Sequence, residues 1–142
     1  MRALLDVNVL IALLDAGHAS HSAALRWFTA NAAAGWASCP ITQNGCVRIL
    51  SHTKYPRPHA VRETVHRLRD MTAENVHQFW PDDVSLLDDD AIDPARIHGP
   101  RQLTDVYLLA LAVKYRGCLV TFDQAIGLDA VPGATPGHLV VL

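Results

Sequence analysis

Ala3-Leu4-Leu5-Asp6-Val7-Asn8-Val9-Leu10-Ile11 is an apolar run with a carboxylate set in its middle. The residues before Asp6 suit a short buried strand, residues 2–5. Those after it suit a helix running to about residue 14. A charge at such a junction is costly unless something compensates it. The same arrangement recurs twice. Asp105 opens Val106-Tyr107-Leu108-Leu109-Ala110-Leu111-Ala112-Val113, and Asp123 follows Leu119-Val120-Thr121-Phe122. Three carboxylates converging would repel one another except around a cation. Hard oxygen donors suit Mg²⁺ or Mn²⁺, ions that serve phosphoryl chemistry.

Outward from these runs, the chain alternates short strands with amphipathic helices, the pattern of an α/β fold with a mainly parallel sheet. Ser20 or Ser22 is expected to cap a helix to residue 31, with Leu25, Trp27 and Phe28 in the core. A strand at 35–39 precedes a helix at 42–51. A helix ending near residue 71 turns Val61, Val65 and Leu68 inward, and 76–80 alternates as a strand. Residues 81–100, with six Asp and three Pro, read as a loop. The helix at 103–115 is apolar on nearly every face, has Thr104 as a candidate N-cap and ends at Gly117. Strands at 118–122 and 138–142 complete a single domain, 1–142. In such sheets ligands bind beyond the carboxyl ends of the strands, where Asp6 and Asp123 fall.

Composition narrows the function classes. A formal charge of −2 excludes a uniformly basic nucleic-acid binder but allows a local basic patch. One such patch is residues 52–69, where Lys54, Arg57, Arg62, Arg67 and Arg69 face a single acid, Glu63. Three cysteines without a C-x-x-C pair indicate buried free thiols in a reducing compartment. Asp6 and Asn8 interrupt the apolar N-terminus, and no apolar run is long enough to span a bilayer. The expectation is a cytoplasmic protein without membrane attachment. His18-x-x-His21 has no second pair and reads as a helix start rather than a zinc site. Phosphate-binding glycine loops, a dinucleotide fingerprint and an EF-hand loop are all absent.

Leu4-Leu5-Asp6-Val7-Asn8-Val9-Leu10-Ile11, Leu103-Thr104-Asp105-Val106-Tyr107-Leu108-Leu109-Ala110 and Val120-Thr121-Phe122-Asp123 resemble, in order and spacing, the signatures of PIN-domain ribonucleases. With the Pro40-Ile41-Thr42-Gln43-Asn44-Gly45-Cys46-Val47-Arg48-Ile49-Leu50 segment, the chain is similar to VapC toxins of bacterial toxin–antitoxin pairs. The resemblance implies a three-layer α/β/α sandwich and an Mg²⁺- or Mn²⁺-dependent endoribonuclease that cuts structured RNA such as tRNA or rRNA. It further implies homodimers and inhibition by a VapB-like antitoxin in a heterotetramer or larger assembly. It assigns Asp6, Asp105 and Asp123 to the metal, with Asn8 and Thr104 as supports. Lys54, Arg57 and Arg62 are the expected RNA-backbone contacts. Gln43 aligns where the family usually carries a glutamate, so one negative charge is missing from the expected site. Two rivals follow. One is a catalytically weakened PIN-like domain that binds RNA or a partner. The other is a small metal-dependent phosphatase, although Asp6-Val7-Asn8 lacks the second acid of a D-x-D nucleophile.

Overall fold

A computed structural model describes all 142 residues. Its strands are β1 (Ala3–Leu5), β2 (Trp36–Ser38), β3 (His77–Phe79), β4 (Cys118–Thr121) and β5 (Leu139–Val141). They form one sheet in the order β3-β2-β1-β4-β5, every pair parallel. Five α-helices connect them: α1 (Val7–Leu14), α2 (His21–Asn31), α3 (Pro40–Leu50), α4 (Val61–Thr72) and α5 (Leu103–Lys114). Each expected strand and helix is present, and no helix is long and apolar enough to cross a membrane.

Alternation along the strands builds two cores, one on each face of the sheet. Ala3, Leu5, Trp36, Cys118 and Val120 meet α1, α2, α3 and α4 through Val9, Leu10, Ala24, Cys46, Leu50 and Leu68. Leu4, Ala37 and Leu119 meet α5 through Leu108, Leu109 and Leu111. The result is the expected three-layer α/β/α sandwich. From β1 the chain winds outward to β2 and β3 under one helical layer, then returns through α5 to place β4 on β1's other side. Right-handed crossovers require that change of face. The order reverses between β1 and β4, so the switch point lies where Asp6 and Asp123 leave the sheet.

Four local expectations are corrected. Val61 and Leu25 are exposed, and the buried positions on their helices are Thr64 and Leu68 on α4 and Ala24 on α2. On both helices the inward stripe is small, because the helix lies close against its neighbours. The N-cap of α5 is Gln102 rather than Thr104, because a short 3₁₀ turn at Pro100–Gln102 leads directly into the helix. Gly117 is not the residue that reverses α5. The left-handed position is Arg116 (φ 54°), and the Gly117 N–H reaches back to the Ala112 carbonyl while Arg116 N–H reaches Val113, a Schellman closure.

Gly117 serves a different need. A Cβ there would lie 2.4 Å from the Arg2 carbonyl oxygen and 2.7 Å from the Trp80 ring. The entry of β4 thus passes too close to the start of β1 for any side chain. Gly117→Ala is expected to lower stability by about 1–3 kcal/mol, the usual range for overpacking. Gly99→Ala, with nothing within 4 Å of its added carbon, should shift a urea midpoint little.

Candidate active site

Asp6 belongs to two elements at once. Its N–H pairs with the Val120 carbonyl at 3.0 Å, extending β1 beside β4. Its own carbonyl accepts from Val9 and Leu10 as the first turn of α1. No turn separates strand from helix, so the side chain is held at a helix N-terminus, accepting from Val7 N–H at 2.7 Å. The other carboxylate oxygen accepts from Thr121 Oγ1, also at 2.7 Å.

Asn8 and Thr121 determine that contact by elimination. The backbone N–H of Phe122 can only donate, so Asn8 turns its Oδ1 toward it (3.2 Å). Asn8 Nδ2 then donates to Thr121 Oγ1 at 3.1 Å, as does the Asp123 N–H at 3.0 Å. With both acceptor sites filled, the hydroxyl's single proton has one destination, the Asp6 carboxylate. Asn8 therefore supports Asp6 through Thr121, a fully buried residue that sequence reading quoted but did not single out. Its signal was the polar residue two places before Asp123 in an otherwise apolar strand.

Asp6 and Asp105 line one open cleft with Val7, Asn8 and Ile11 of α1, Thr104 of α5, and Ile41, Asn44, Gly45, Arg48 and Ile49 of α3. The floor is tight, since a Cβ on Gly45 would sit 2.7 Å from Val7 Cγ2, so only glycine lets α3 approach α1 this closely. Asp105 has no hydrogen-bond partner among the side chains. Burial, then the nearby charges of Asp6 and Asp123, push its carboxyl up to about 6. Burial also raises Asp6, opposed by the Thr121 and Val7 hydrogen bonds and assisted by the charge of Asp123. The three acids from distant segments thus share one electrostatic environment. Asp123 Oδ1 meanwhile accepts from Ala125 N–H at 2.8 Å.

No three carboxylates, imidazoles or thiols close on one point as a ready coordination sphere. The donor set nevertheless fits a hydrated divalent ion, which takes one or two carboxylates and keeps several waters. The donors are all hard oxygens, and no lysine or arginine lies within ion-pair distance of any of the three acids.

Helix α3 separates its residues by face. Thr42, Cys46 and Leu50 enter the core. Ile41, Asn44, Gly45, Arg48 and Ile49 face the cleft. Gln43 and Val47 face α4, beside Val65, Leu68 and Arg69, and Asn44 borders both sides. Gln43 is therefore not brought to the acids: its Nε2 donates to Ser38 Oγ at 2.9 Å, which in turn meets His77 Nε2 at 2.8 Å. The face of α3 that lines the cleft carries Asn44, Gly45 and Arg48 and no carboxylate.

The expected RNA contacts lie elsewhere too. Arg57 pairs with buried Asp15 (3.6 Å), which also accepts from Tyr55 and from Gly17 N–H at 3.0 Å. Asp15 closes the far end of α1, so this cluster stands about 13 Å from Asp6 along the helix axis. Lys54 and Arg62 are exposed, and neither lines the cleft. His18 and His21 bind backbone, His18 Nδ1 accepting from Ser20 N–H and His21 Nδ1 meeting the Ala12 carbonyl at 2.7 Å.

An open cleft carrying two acids at the switch point of a doubly wound parallel sheet defines an α/β protein whose candidate site lies beyond the carboxyl ends of its strands. The PIN domain family model matches residues 3–132, and the chain belongs to that family. It is 54% identical to Ribonuclease VapC44 of Mycobacterium tuberculosis over all 142 residues, covering 100% of both chains. It is 46% identical to Ribonuclease VapC39 of the same species over 134 residues, covering 94% of this chain and 96% of the relative. Two crystal structures share the fold at low identity. One is the Mycobacterium tuberculosis Sarcin-Ricin loop cleaving toxin VapC20 (TM-score 0.62, 15% identity, 94% and 99% coverage). The other is VapBC2 from Rickettsia felis bound to a DNA fragment from their promoter (TM-score 0.60, 13% identity, 100% and 98% coverage).

Two measurements probe the site without any substrate. The folded chain holds the Asp105 proton to about pH 6, whereas an unfolded chain releases it near 3.8. This group's contribution to metal-free stability is therefore complete below pH 3.8 and lost as pH rises through 6. Asp105→Asn should accordingly raise the unfolding free energy of the metal-free protein at pH 7.5 by on the order of 1 kcal/mol after allowance for partial exposure, read by urea denaturation. The advantage should vanish near pH 3.5. Thr121→Val leaves the Asn8 amide and the Asp123 N–H without an acceptor and should destabilise by about 1–3 kcal/mol, while Thr121→Ser stays near wild type by chemical denaturation.

Proposed function

We propose that this chain is an endoribonuclease acting as the toxin of a VapBC-type toxin–antitoxin pair, dependent on Mg²⁺ or Mn²⁺. The observation that carries the reading is that Asp6 and Asp105, from distant segments, line one cleft at the sheet's switch point with no lysine or arginine paired to either. Full-length similarity to proteins named Ribonuclease VapC supports the same activity. Asp6 and Asp105 would hold the ion, with Asp123 adding charge beside them. A divalent ion there supplies a nucleophilic water at neutral pH and stabilises negative charge on the phosphate and leaving oxygen.

The side chains prepare that chemistry. The Thr121 hydroxyl fixes the orientation of Asp6, so one carboxylate oxygen is turned by a hydrogen bond rather than left free to rotate. Asn8 keeps Thr121 in that role. Asp105 and Asp123 are the acids free to orient a water or receive its proton through solvent. Attack by water in line with the scissile bond leaves a 5′-phosphate and a 3′-hydroxyl. The cleft-lining face of α3 offers the amide of Asn44 and no carboxylate, which predicts weaker divalent binding than a four-acid site would give.

A structured RNA, tRNA or rRNA, is the proposed substrate; the fold relative that cleaves the sarcin–ricin loop supports that class. The proposed inhibitor is a VapB-like antitoxin acting on a homodimer, supported by the fold shared with a VapBC complex.

Purified protein should cut total RNA with Mn²⁺ or Mg²⁺, stop cutting in EDTA, and leave a phosphomonoester substrate untouched. Asp6→Asn and Asp123→Asn should each reduce cutting on the order of a hundredfold or more, a typical loss for removal of one preorganised charge-stabilising group. Equal cutting by wild type and both variants would reveal a contaminating nuclease and refute the site. Activity on the phosphomonoester alone would favour the phosphatase reading.

A further inference from the structure

Arg48 is the one cation that lines the cleft with Asp6 and Asp105. It lies one turn beyond Asn44 on the same face of α3, in the last turn of that helix, where the macrodipole favours a positive charge. It is solvent-exposed and makes no ion pair and no side-chain hydrogen bond. Four other cations are committed elsewhere, and the remaining ones do not line this cleft. Arg2 donates to the Trp36 and Val76 carbonyls, Arg57 pairs with Asp15, Arg96 with Asp93 and Asp129, and Lys114 with Asp83.

An acidic cleft repels a polyanion, so a substrate needs a positive group that the acids have not already neutralised. Had Arg48 folded back onto Asp6 or Asp105, its charge would be spent within the site. Instead the guanidinium is unpaired in a cleft that Ile41 and Ile49 also line. A planar fork of N–H donors matches a phosphate by two parallel hydrogen bonds.

We infer that Arg48 is the phosphate clamp of this cleft, binding a backbone phosphate of single-stranded RNA next to the bond that is cut. This rests on the ribonuclease reading for the identity of the substrate. It replaces the basic 52–69 segment as the principal backbone contact, because Arg57 is held at the far end of α1 and no cation of that segment lines the cleft.

Binding of a fluorescein-labelled single-stranded RNA, followed by anisotropy in EDTA where nothing is cut, reads the clamp directly across a series of KCl concentrations. R48A should weaken binding about tenfold or more, as expected for loss of a charge-assisted hydrogen-bonded contact. It should also make the slope of log K against log salt shallower by about 0.7, the single-strand value for one lost phosphate contact. R48K should restore most of the slope but only part of the affinity. R48M, which keeps the apolar stem, should behave like R48A and guards against a loss of packing. R26A, on the outer surface of α2, should match wild type. With divalent ion added, R48M should raise KM with kcat within about threefold. Unchanged affinity and slope in R48A and R48M would overturn the assignment, as would a fall in kcat with KM unchanged. Absence of cutting by wild type in the presence of normal, Arg48-dependent binding would instead strike the ribonuclease reading alone.

Discussion

One proton, that of the Thr121 hydroxyl, ties the first strand's carboxylate to the end of the fourth strand. The Asp6 side chain is buried at a strand-to-helix junction with no intervening turn, a place where a free carboxylate would be strongly disfavoured. Two hydrogen bonds, from Val7 N–H and Thr121, offset that penalty, and Asn8 leaves the hydroxyl no other donor role. The consequence is mechanical as well as electrostatic. α1 cannot rotate about its axis without breaking Asn8's bonds to β4, so everything along α1 inherits a fixed orientation, including the cleft wall formed by Val7 and Ile11.

That fixed wall sets the character of the cleft. α3 is drawn against α1 over Gly45, and α5 enters from the opposite layer with Thr104 and Asp105 at its first turn. Two helix N-termini, those of α1 and α5, therefore carry carboxylates toward the same space. Each dipole makes its own acid easier to ionise, and each acid makes the other harder. For Asp105 burial and repulsion win, and its carboxyl is held near 6. Such a balance suits a site that is quiet when empty and gains stability from a cation, because the repulsion that the fold tolerates is released when a positive charge arrives.

All five strands and all five helices were legible in the sequence, as was the meeting of Asp6 and Asp105 in one cleft, because each rests on a strong local pattern: continuous apolar strands, long helical periods, and carboxylates at element ends; Asp123 stands outside that cleft's lining. What escaped was the assignment of faces. Gln43 and Asn44 are neighbours in sequence and both are amides, but a helix turns by about 100° per residue, so Gln43 faces α4 while Asn44 also reaches the acid-lined cleft. Only the packing partners of α3 decide which. Val61 and Leu25 look like core residues by composition, yet the helices bury Thr64 and Ala24 because close packing prefers small side chains there. The basic segment was visible as charge, but the pairing of Arg57 with Asp15, across 42 positions, depends on the tertiary fold. Arg48 escaped for the opposite reason: a single arginine in a helix has no pattern.

The bond between Thr121 and Asp6 spans 115 residues of chain. Until β4 has inserted beside β1, the N-terminal acid has no orienting partner and the other two have nothing to face. On a ribosome, which releases the N-terminal portion first, β1, β2, β3 and helices α1 to α4 would emerge before the last of these acids. The orienting contact on Asp6 therefore forms only in a late step, when β4 pairs with β1.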